Sequence, residues 1–396
     1  MKGNLRTGVK SGLLRKILVI SQFSISIFFI IGSMIVHSQL DYFRNKDLGF
    51  DKNNLMIVRL FLTGNNQEDF VNTIRVLKNE IQNHREVKFV SSSIGVPGGL
   101  RPIVQYRNPE DPGSQYQYLA QVPIDYNYIP AMNIQLKDGR NFSRDFITDN
   151  ANAVILNEVS VEKLGLSEPV VGKTVDVLQG GLNGSAVKRT VIGVIKNMNY
   201  EPLRRKTEPM ALVLAPDGGG SLLIKITGEN IPETIDFTRN TWQKIVPDRP
   251  FEYSFLDEDL SNLYIAEANF SHATNSFTIL AIIIAGLGLF GLASFTAEQR
   301  TKEIGIRKVM GAPVGRIMFI LTREFFYLVM ISNIFAWPLA YYFASKWIQN
   351  FAFHISLSPA PFFLSGVLAL AIAVLTVGGQ AFKAAMINPA ESLRYE

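Results

Sequence analysis

Four stretches of this chain hold too many consecutive apolar residues to read as parts of a soluble core. Residues 17–36, 277–297, 317–348 and 362–382 are each long enough to cross about 30 Å of hydrocarbon as an α-helix, which takes roughly 20 residues. The first, second and fourth contain no charged side chain. The third is longer than a bilayer requires, with Arg323 and Glu324 near one end and Pro338 further along, so it is expected to tilt, kink or protrude. Tyr341, Tyr342 and Trp347 near its other end favour the headgroup region and mark a membrane boundary.

Between the first and second runs the pattern changes. Short β-rich segments recur: NLMIVRL at 54–60, VKFVSSSIGV at 87–96, QYLAQVPI at 117–124 and AVIL at 153–156, with further strands expected at KRTVIGVIK, MALVLA, SLLIKIT and FEYSFL. Helical patterns separate them. Phe70, Ile74, Leu77 and Ile81 form one apolar stripe within 67–83, and 231–246 is a second amphipathic segment. Glycine-rich stretches at 180–184 and 218–220 read as loops, and a boundary between two small subdomains is expected within 97–150. Segments 38–48 and 257–275 read as outward extensions of the first two spans into a helical stalk, with Asp257 placed to cap its helix. The pattern predicts an α-helical membrane protein with four spans, one plus three, and a large mixed α/β domain inserted at 38–275.

Composition agrees with such a chimera: 47% of the residues are hydrophobic and 18% charged. Charge distribution supplies direction. Residues 1–16 carry Lys2, Arg6, Lys10, Arg15 and Lys16 and no acid, and the 298–316 connector carries Arg300, Lys302, Arg307, Lys308 and Arg316 against Glu298 and Glu303. Both are expected on the cytoplasmic side, as is the 383–396 terminus. Residues 38–275 hold 25 basic and 29 acidic residues, a net of −4, although the whole chain is +5. The basic pI is therefore a topology signal, and no nucleic-acid partner is implied. The first run could instead be a signal peptide, but it exceeds the usual apolar length and no small-residue cleavage site follows in SMIVHSQL. It reads better as a retained anchor. There is no cysteine, so disulfides do not hold the exported domain, which at this size can bury an adequate core without them.

Catalytic and metal chemistry finds little support. SEPVVGKT at 167–174 has Gly172, Lys173 and Thr174 but Ser167 where a phosphate-binding loop begins with glycine; it reads as a loop leading into the KTVDV strand. His37, His84, His272 and His354 have no ligand spacing, and there is no G-x-S-x-G elbow. Arg323 and Glu324 are membrane-embedded charges, which are costly and usually functional; alternatively both snorkel to the headgroups. Ala281, Ala285, Gly288 and Gly291 form a small-residue stripe that permits close helix approach, within one chain or between two.

The connector EQRTKEIGIRKVMGAP at 298–313 is dense in charge, punctuated by Gly305 and Gly311, with Pro313 suited to open the next helix. It is either a docking surface or a solvated loop with stop-transfer charges. Its RTKEIGIRKVMGA core closely resembles the cytoplasmic segment of MacB/FtsX-like permeases of ABC transporters, and the NPAESLRYE ending at 388–396 resembles theirs. The one-plus-three spans around an exported domain match as well. The resemblance implies a bacterial inner-membrane permease subunit with both termini cytoplasmic and a MacB-like periplasmic core domain. It also implies no cofactor on this chain, ATP and Mg being bound by a separate cytoplasmic ABC ATPase, and a second permease unit, as a homodimer or fused half. A periplasmic adaptor is a further partner it allows, beside membrane lipid. Carried over onto matching positions, Glu303, Gly305, Arg307, Lys308 and Gly311 are the candidates for coupling to the ATPase. The LLRKILVISQFSISI start and FLDEDLSNLYIAEANF stalk look most like the second half of larger Bacteroidetes-type permeases that fuse two such units. A receptor whose exported domain binds a ligand is the competing reading. An ion channel fares worse, because apart from Arg323 and Glu324 the spans offer no charged lining.

Overall fold

The computed structural model describes residues 5–60, 67–179, 185–216 and 219–386. The glycine run at 180–184, Gly218 and the NPAESLRYE ending lie outside the described residues. In chain order, helix α1 (Leu5–Asn45) is followed by β1 (Leu55–Arg59), α2 (Gln67–Gln82), β2 (Val87–Ser93), β3 (Ile103–Arg107), β4 (Gln117–Ile124), α3 (Tyr128–Ala131), β5 (Leu136–Gly139) and α4 (Asp149–Asn152). Then come β6 (Ala153–Asn157), α5 (Glu158–Lys163), β7 (Thr174–Gln179), β8 (Ser185–Ile195), β9 (Met210–Leu214), β10 (Ser221–Ile226), α6 (Ile231–Ile245) and β11 (Tyr253–Phe255). Helices α7 (Leu256–Asn262), α8 (Ile265–Gln299), α9 (Thr301–Val309), α10 (Val314–Ile348) and α11 (Ala360–Met386) complete the chain. Residues divide into two compact units, one of Met1–Arg44, Ala266–Asn350 and His354–Glu396, the other of Asn45–Ile265 with Phe351–Phe353.

In the first unit, α1, α8, α10 and α11 are long and apolar enough to cross a membrane. On α1, Phe23, Ile27, Ile31 and Ile35 recur every fourth residue and face Ala285, Leu289 and Ala293 of α8 and Phe325, Val329, Ala336 and Ala340 of α10. Hydrophobicity does not hold such helices together in lipid, so packing and polar contacts must. Ser26 donates to the Ala281 carbonyl (2.8 Å) and Thr278 to that of Phe29 (3.0 Å), tying α1 to α8. Ser24 and Ser332 each donate across to the other helix, tying α1 to α10. Of the small-residue stripe, Ala285 is buried and Gly288 lies against the Gln22 amide, where a Cβ would come within 2.2 Å of Oε1; Gly291 is open. Packing within one chain thus accounts for the stripe up to Gly288. Helix α10 continues through Pro338.

The second unit carries two β cores. Strands β11, β1, β10 and β2 form an antiparallel sheet, covered by α2 and α6. Ile74, Leu77 and Ile81 of α2 are fully buried there, with Trp242 of α6. The inner stripe of α6 also holds Thr234 and Thr238, both fully buried, whose hydroxyls are satisfied by carbonyls one turn back. The other core is closed: β4 pairs β3, β3 pairs β7, β7 pairs β8, β8 pairs β6, β6 pairs β9, and β9 returns to β4. Ring closure removes exposed sheet edges. The two sheets meet at the Ser93–Ile124 pair. The chain therefore crosses between cores twice, at 94–102 and at 215–220, whereas the sequence pattern suggested one boundary within 97–150.

The stalk expectation needs two corrections. Asp257 does not cap: the N-cap is Phe255, with no side-chain hydrogen bond, and Asp257 sits in the first turn of α7. Nor is 257–275 one helix, because α7 ends at Asn262 and α8 starts at Ile265. No sequence breaker lies between. Tertiary contacts break the helix instead: the Tyr264 hydroxyl accepts from the Leu203 amide (2.8 Å), and Leu263 packs where a Cβ on Gly98 would sit. The Phe351–Phe353 segment between α10 and α11 belongs to this unit too, its Ala352 and Phe353 amides donating to the Arg204 and Leu203 carbonyls.

At the closed core Arg140 makes a two-pronged ion pair with Asp149 (2.6 and 2.8 Å). Burial disfavours the Asp149 carboxylate, but the Arg140 hydrogen bond, the Ser143 amide and the Arg140 charge outweigh it and hold the carboxyl below its ordinary 3.8. A depressed folded-state pKa stabilises above the unfolded value and ceases to as pH falls through the folded one. The thermal midpoint of the full chain in detergent is accordingly expected to drop as pH falls below about 4. In Arg140→Gln that part of the drop should vanish; an identical pH profile in the variant would assign the acid sensitivity elsewhere.

Candidate functional site

The connector folds as α9, an amphipathic helix of nine residues. Its inner face holds Ile304 and Gly305, both buried. Ile304 joins Ile317 and Leu321 of α10 and Ala381 of α11 in a small apolar cluster, bordered by Ala312, Val314 and Met318. Its end is fixed by Gly311 at φ +84°. There the Ala312 amide donates to the Arg307 carbonyl and the Gly311 amide to that of Lys308, both at 3.0 Å. This is a Schellman cap, which needs a left-handed residue after the helix and so favours glycine. Pro313, extended at φ −66° and ψ 148°, is the N-cap of α10 rather than its first residue.

The outer face carries charged and apolar side chains together. Glu303 and Arg307 pair at 2.5 Å, one turn apart. Ile306, Val309 and Met310 are 52%, 66% and 82% exposed, and with Lys302 and Glu303 they share one side of the helix by their 3–4 residue spacing. Exposed apolar groups this close together are unusual on a surface with no partner. The sequence reading singled out the charges and glycines of this segment and passed over Ile306, Val309 and Met310, although their spacing was visible.

A second cluster lies at the root of α9. Glu324 of α10 accepts from Lys16 of α1 at 2.5 Å and from Arg300, the N-cap of α9, at 3.2 Å. One carboxylate thereby connects α1, the α8–α9 junction and α10. Beside it the Arg15 guanidinium lies 4.0 Å from the Phe295 ring centroid, a further α1–α8 contact. Arg323 does not join this cluster; its Nε donates to Tyr327 one turn on. The two adjacent charges singled out together in the sequence thus face different neighbours.

The other candidates resolve as structure. Lys173 of the SEPVVGKT loop is taken by Glu110 (3.0 Å) and Ser167 (2.6 Å), and Thr174 opens β7. His37 lies 3.4 Å from Asp41, and the His84 ring accepts from the Glu86 amide. Among the described residues no three His, Asp or Glu side chains are grouped to hold a metal ion.

Known proteins resemble the chain over most of its length. Residues 17–223 match the model of the MacB-like periplasmic core domain, and 275–389 that of the FtsX-like permease C-terminal region. Among relatives, an uncharacterized ABC transporter permease, YknZ of Bacillus subtilis, is 24% identical over 69% of each chain. The macrolide export ATP-binding/permease protein MacB of Neisseria meningitidis is 22% identical over 54% of this chain and 32% of its own length. Among solved structures, the periplasmic region of MacB from Actinobacillus actinomycetemcomitans aligns with 56% of this chain and 97% of its own, at 15% identity and a TM-score of 0.39. The first family model alone spans more than half of the chain, and the second covers α8 to α11. With four membrane helices set one plus three around an extracytoplasmic α/β domain, the chain belongs to the MacB/FtsX-like permeases of ABC transporters.

Proposed function

We propose that this chain is the permease subunit on which a separate cytoplasmic ABC ATPase acts, and that α9 is the element the ATPase grips. The exposed Ile306–Val309–Met310 face, flanked by the Glu303–Arg307 pair, carries this reading. A helix anchored by Ile304 to α10 and α11, and by Arg300 to Glu324, moves with the spans rather than independently of them. Push on α9 is thereby delivered to α1, α8 and α10 together. Since α1 and α8 continue by chain connection into the exported domain, ATP-driven movement does its work there, as conformational transmission or export. In this arrangement both termini and α9 are cytoplasmic in a bacterial inner membrane. ATP and Mg bind the ATPase, this chain holds no catalytic site, and a second permease unit completes the assembly.

Purified alone, the chain should hydrolyse no ATP; mixed with its cognate ABC ATPase, it should stimulate hydrolysis. Met310→Asp with Val309→Asp is expected to abolish binding to that ATPase, because two carboxylates enter an apolar contact. Arg307→Glu with Lys308→Glu should leave binding weakened and stimulation lost. Normal stimulation by both double variants would remove α9 as the coupling element.

A further inference from the structure

Glu324 has two cations beside it, yet among the described residues its neighbour Arg323 has no anion. Arg323 is exposed on the outer side of α10. Its partner is Tyr327, through the 3.2 Å hydrogen bond to the hydroxyl and a guanidinium 5.5 Å from the ring centroid. No carboxylate lies within ion-pair reach of it among the described residues. A guanidinium stays protonated wherever it is placed. Around it Phe319 and Phe326 are 64% and 46% exposed, so this face of α10 meets lipid. A fixed charge in such surroundings is costly without a counter-charge.

Next to Arg323 an open groove of about 270 Å³ runs between α10 and α11. Phe325, Ala373 and Val377 floor it, and Phe326, Leu370 and Val374 line it further along. The pairing of the two antiparallel helices orders these residues by depth. Ile317 and Leu321 lie with Ala381 near one end, and Asn333 lies against Gly366 further in. Val374 and Leu370 therefore sit deeper than Arg323. From Phe319 to Tyr327 the groove follows about 12 Å of helix, whereas a helix with its side chains is itself about 10–12 Å across. The volume suits a slender apolar chain, with donors at its shallow end.

We propose that this groove binds an anionic phospholipid of the leaflet on the α9 side, its phosphate held by the Arg323 guanidinium and the Tyr327 hydroxyl. One acyl chain lies along Phe326, Val374 and Leu370. A phosphate supplies the missing anion in the geometry guanidinium favours. Adjacent charges on α10 then serve opposite sides: Glu324 holds the bundle together, and Arg323 holds the lipid around it.

Native mass spectrometry of the full chain in detergent, titrated with phosphatidylglycerol or with phosphatidylcholine of the same acyl chains, tests this. Phosphatidylglycerol should be retained about fivefold more tightly, the preference one Arg gains from an anionic headgroup. Arg323→Gln should reduce its retention to the phosphatidylcholine level, and Arg323→Lys should restore part of it. Val374→Trp, at an exposed groove wall, should reduce retention of both lipids with the charge intact. Equal retention of the two lipids by the unaltered chain, or full phosphatidylglycerol retention by Arg323→Gln, overturns the site. Displacement of the lipid by glycerol phosphate would make it a soluble-anion site, and a dimer lost on Val374→Trp would give the groove to a second copy; either result also overturns the proposal.

Discussion

Asp125→Ala is expected to destabilise the inserted domain by about 3–5 kcal/mol, because it strands a charge that folding has taken out of water. Asp125 is 2% exposed. Its carboxylate pairs with Lys78 of α2 and accepts from the Ser91 hydroxyl (2.5 Å) and from the Ser92 and Asn127 amides (3.0 and 3.1 Å). Lys78 is otherwise left with the Ser92 hydroxyl and the Pro216 carbonyl, each at 3.4 Å. Removing the acid leaves a partly buried ammonium and three unmatched donors, whereas Asp125→Asn keeps an acceptor of the same shape and should cost less. The pair also fastens α2 to the end of β4 and, through Ser91 and Ser92, to β2, so the loss should be local first. Hydrogen exchange of the full chain should quicken across 67–82 in Asp125→Ala before the closed barrel core changes. Unchanged exchange there would mean that the apolar stripe of α2 suffices by itself.

That stripe was plain from the sequence, and the pair beneath it was not. Ile74, Leu77 and Ile81 repeat at helical spacing, so their common face is fixed by geometry alone. Lys78 between them reads as a solvated residue until the fold brings Asp125 to it. The same division runs through the molecule. The four apolar runs declare themselves by length, since no soluble element needs so many uncharged residues in sequence. The break at Leu263–Tyr264 has no local cause, its reasons lying at Gly98 and Leu203. The second crossing between β cores was likewise invisible, because strand partners such as β4 and β9 are far apart in the chain. On α9, Gly311 was marked by resemblance, and its φ of +84° supplies a physical reason for glycine at that position. Lys16, Arg300 and Glu324 stand in three separate segments, and nothing in their local sequence announces that they meet.

Glu324→Gln is the change expected to separate binding from coupling. Lys16, Arg300 and Glu324 are each between 30% and 46% exposed, so simple ion-pair stability should be modest. Coupling is a different quantity: it depends on whether α1, the α8–α9 junction and α10 share one arrangement or drift between several. With glutamine the two cations lose their common anion and repel each other. ATPase binding through the outer face of α9 should survive, while stimulation falls about tenfold, within the range of ordinary coupling energies. The Lys16→Gln and Glu324→Gln effects should be less than additive when combined, as expected for groups acting as a unit. The cysteine-free sequence permits a structural readout that needs no ATPase. Spin labels at Leu14→Cys and Met310→Cys, both exposed positions of this unit, should give a narrow distance distribution in the parent chain and a broad one with Glu324→Gln. A distribution that stays narrow while stimulation falls would place the defect at the ATPase contact. If stimulation is retained and the distribution stays narrow, the apolar cluster around Ile304 is enough to hold α9, and the carboxylate has no part in transmission.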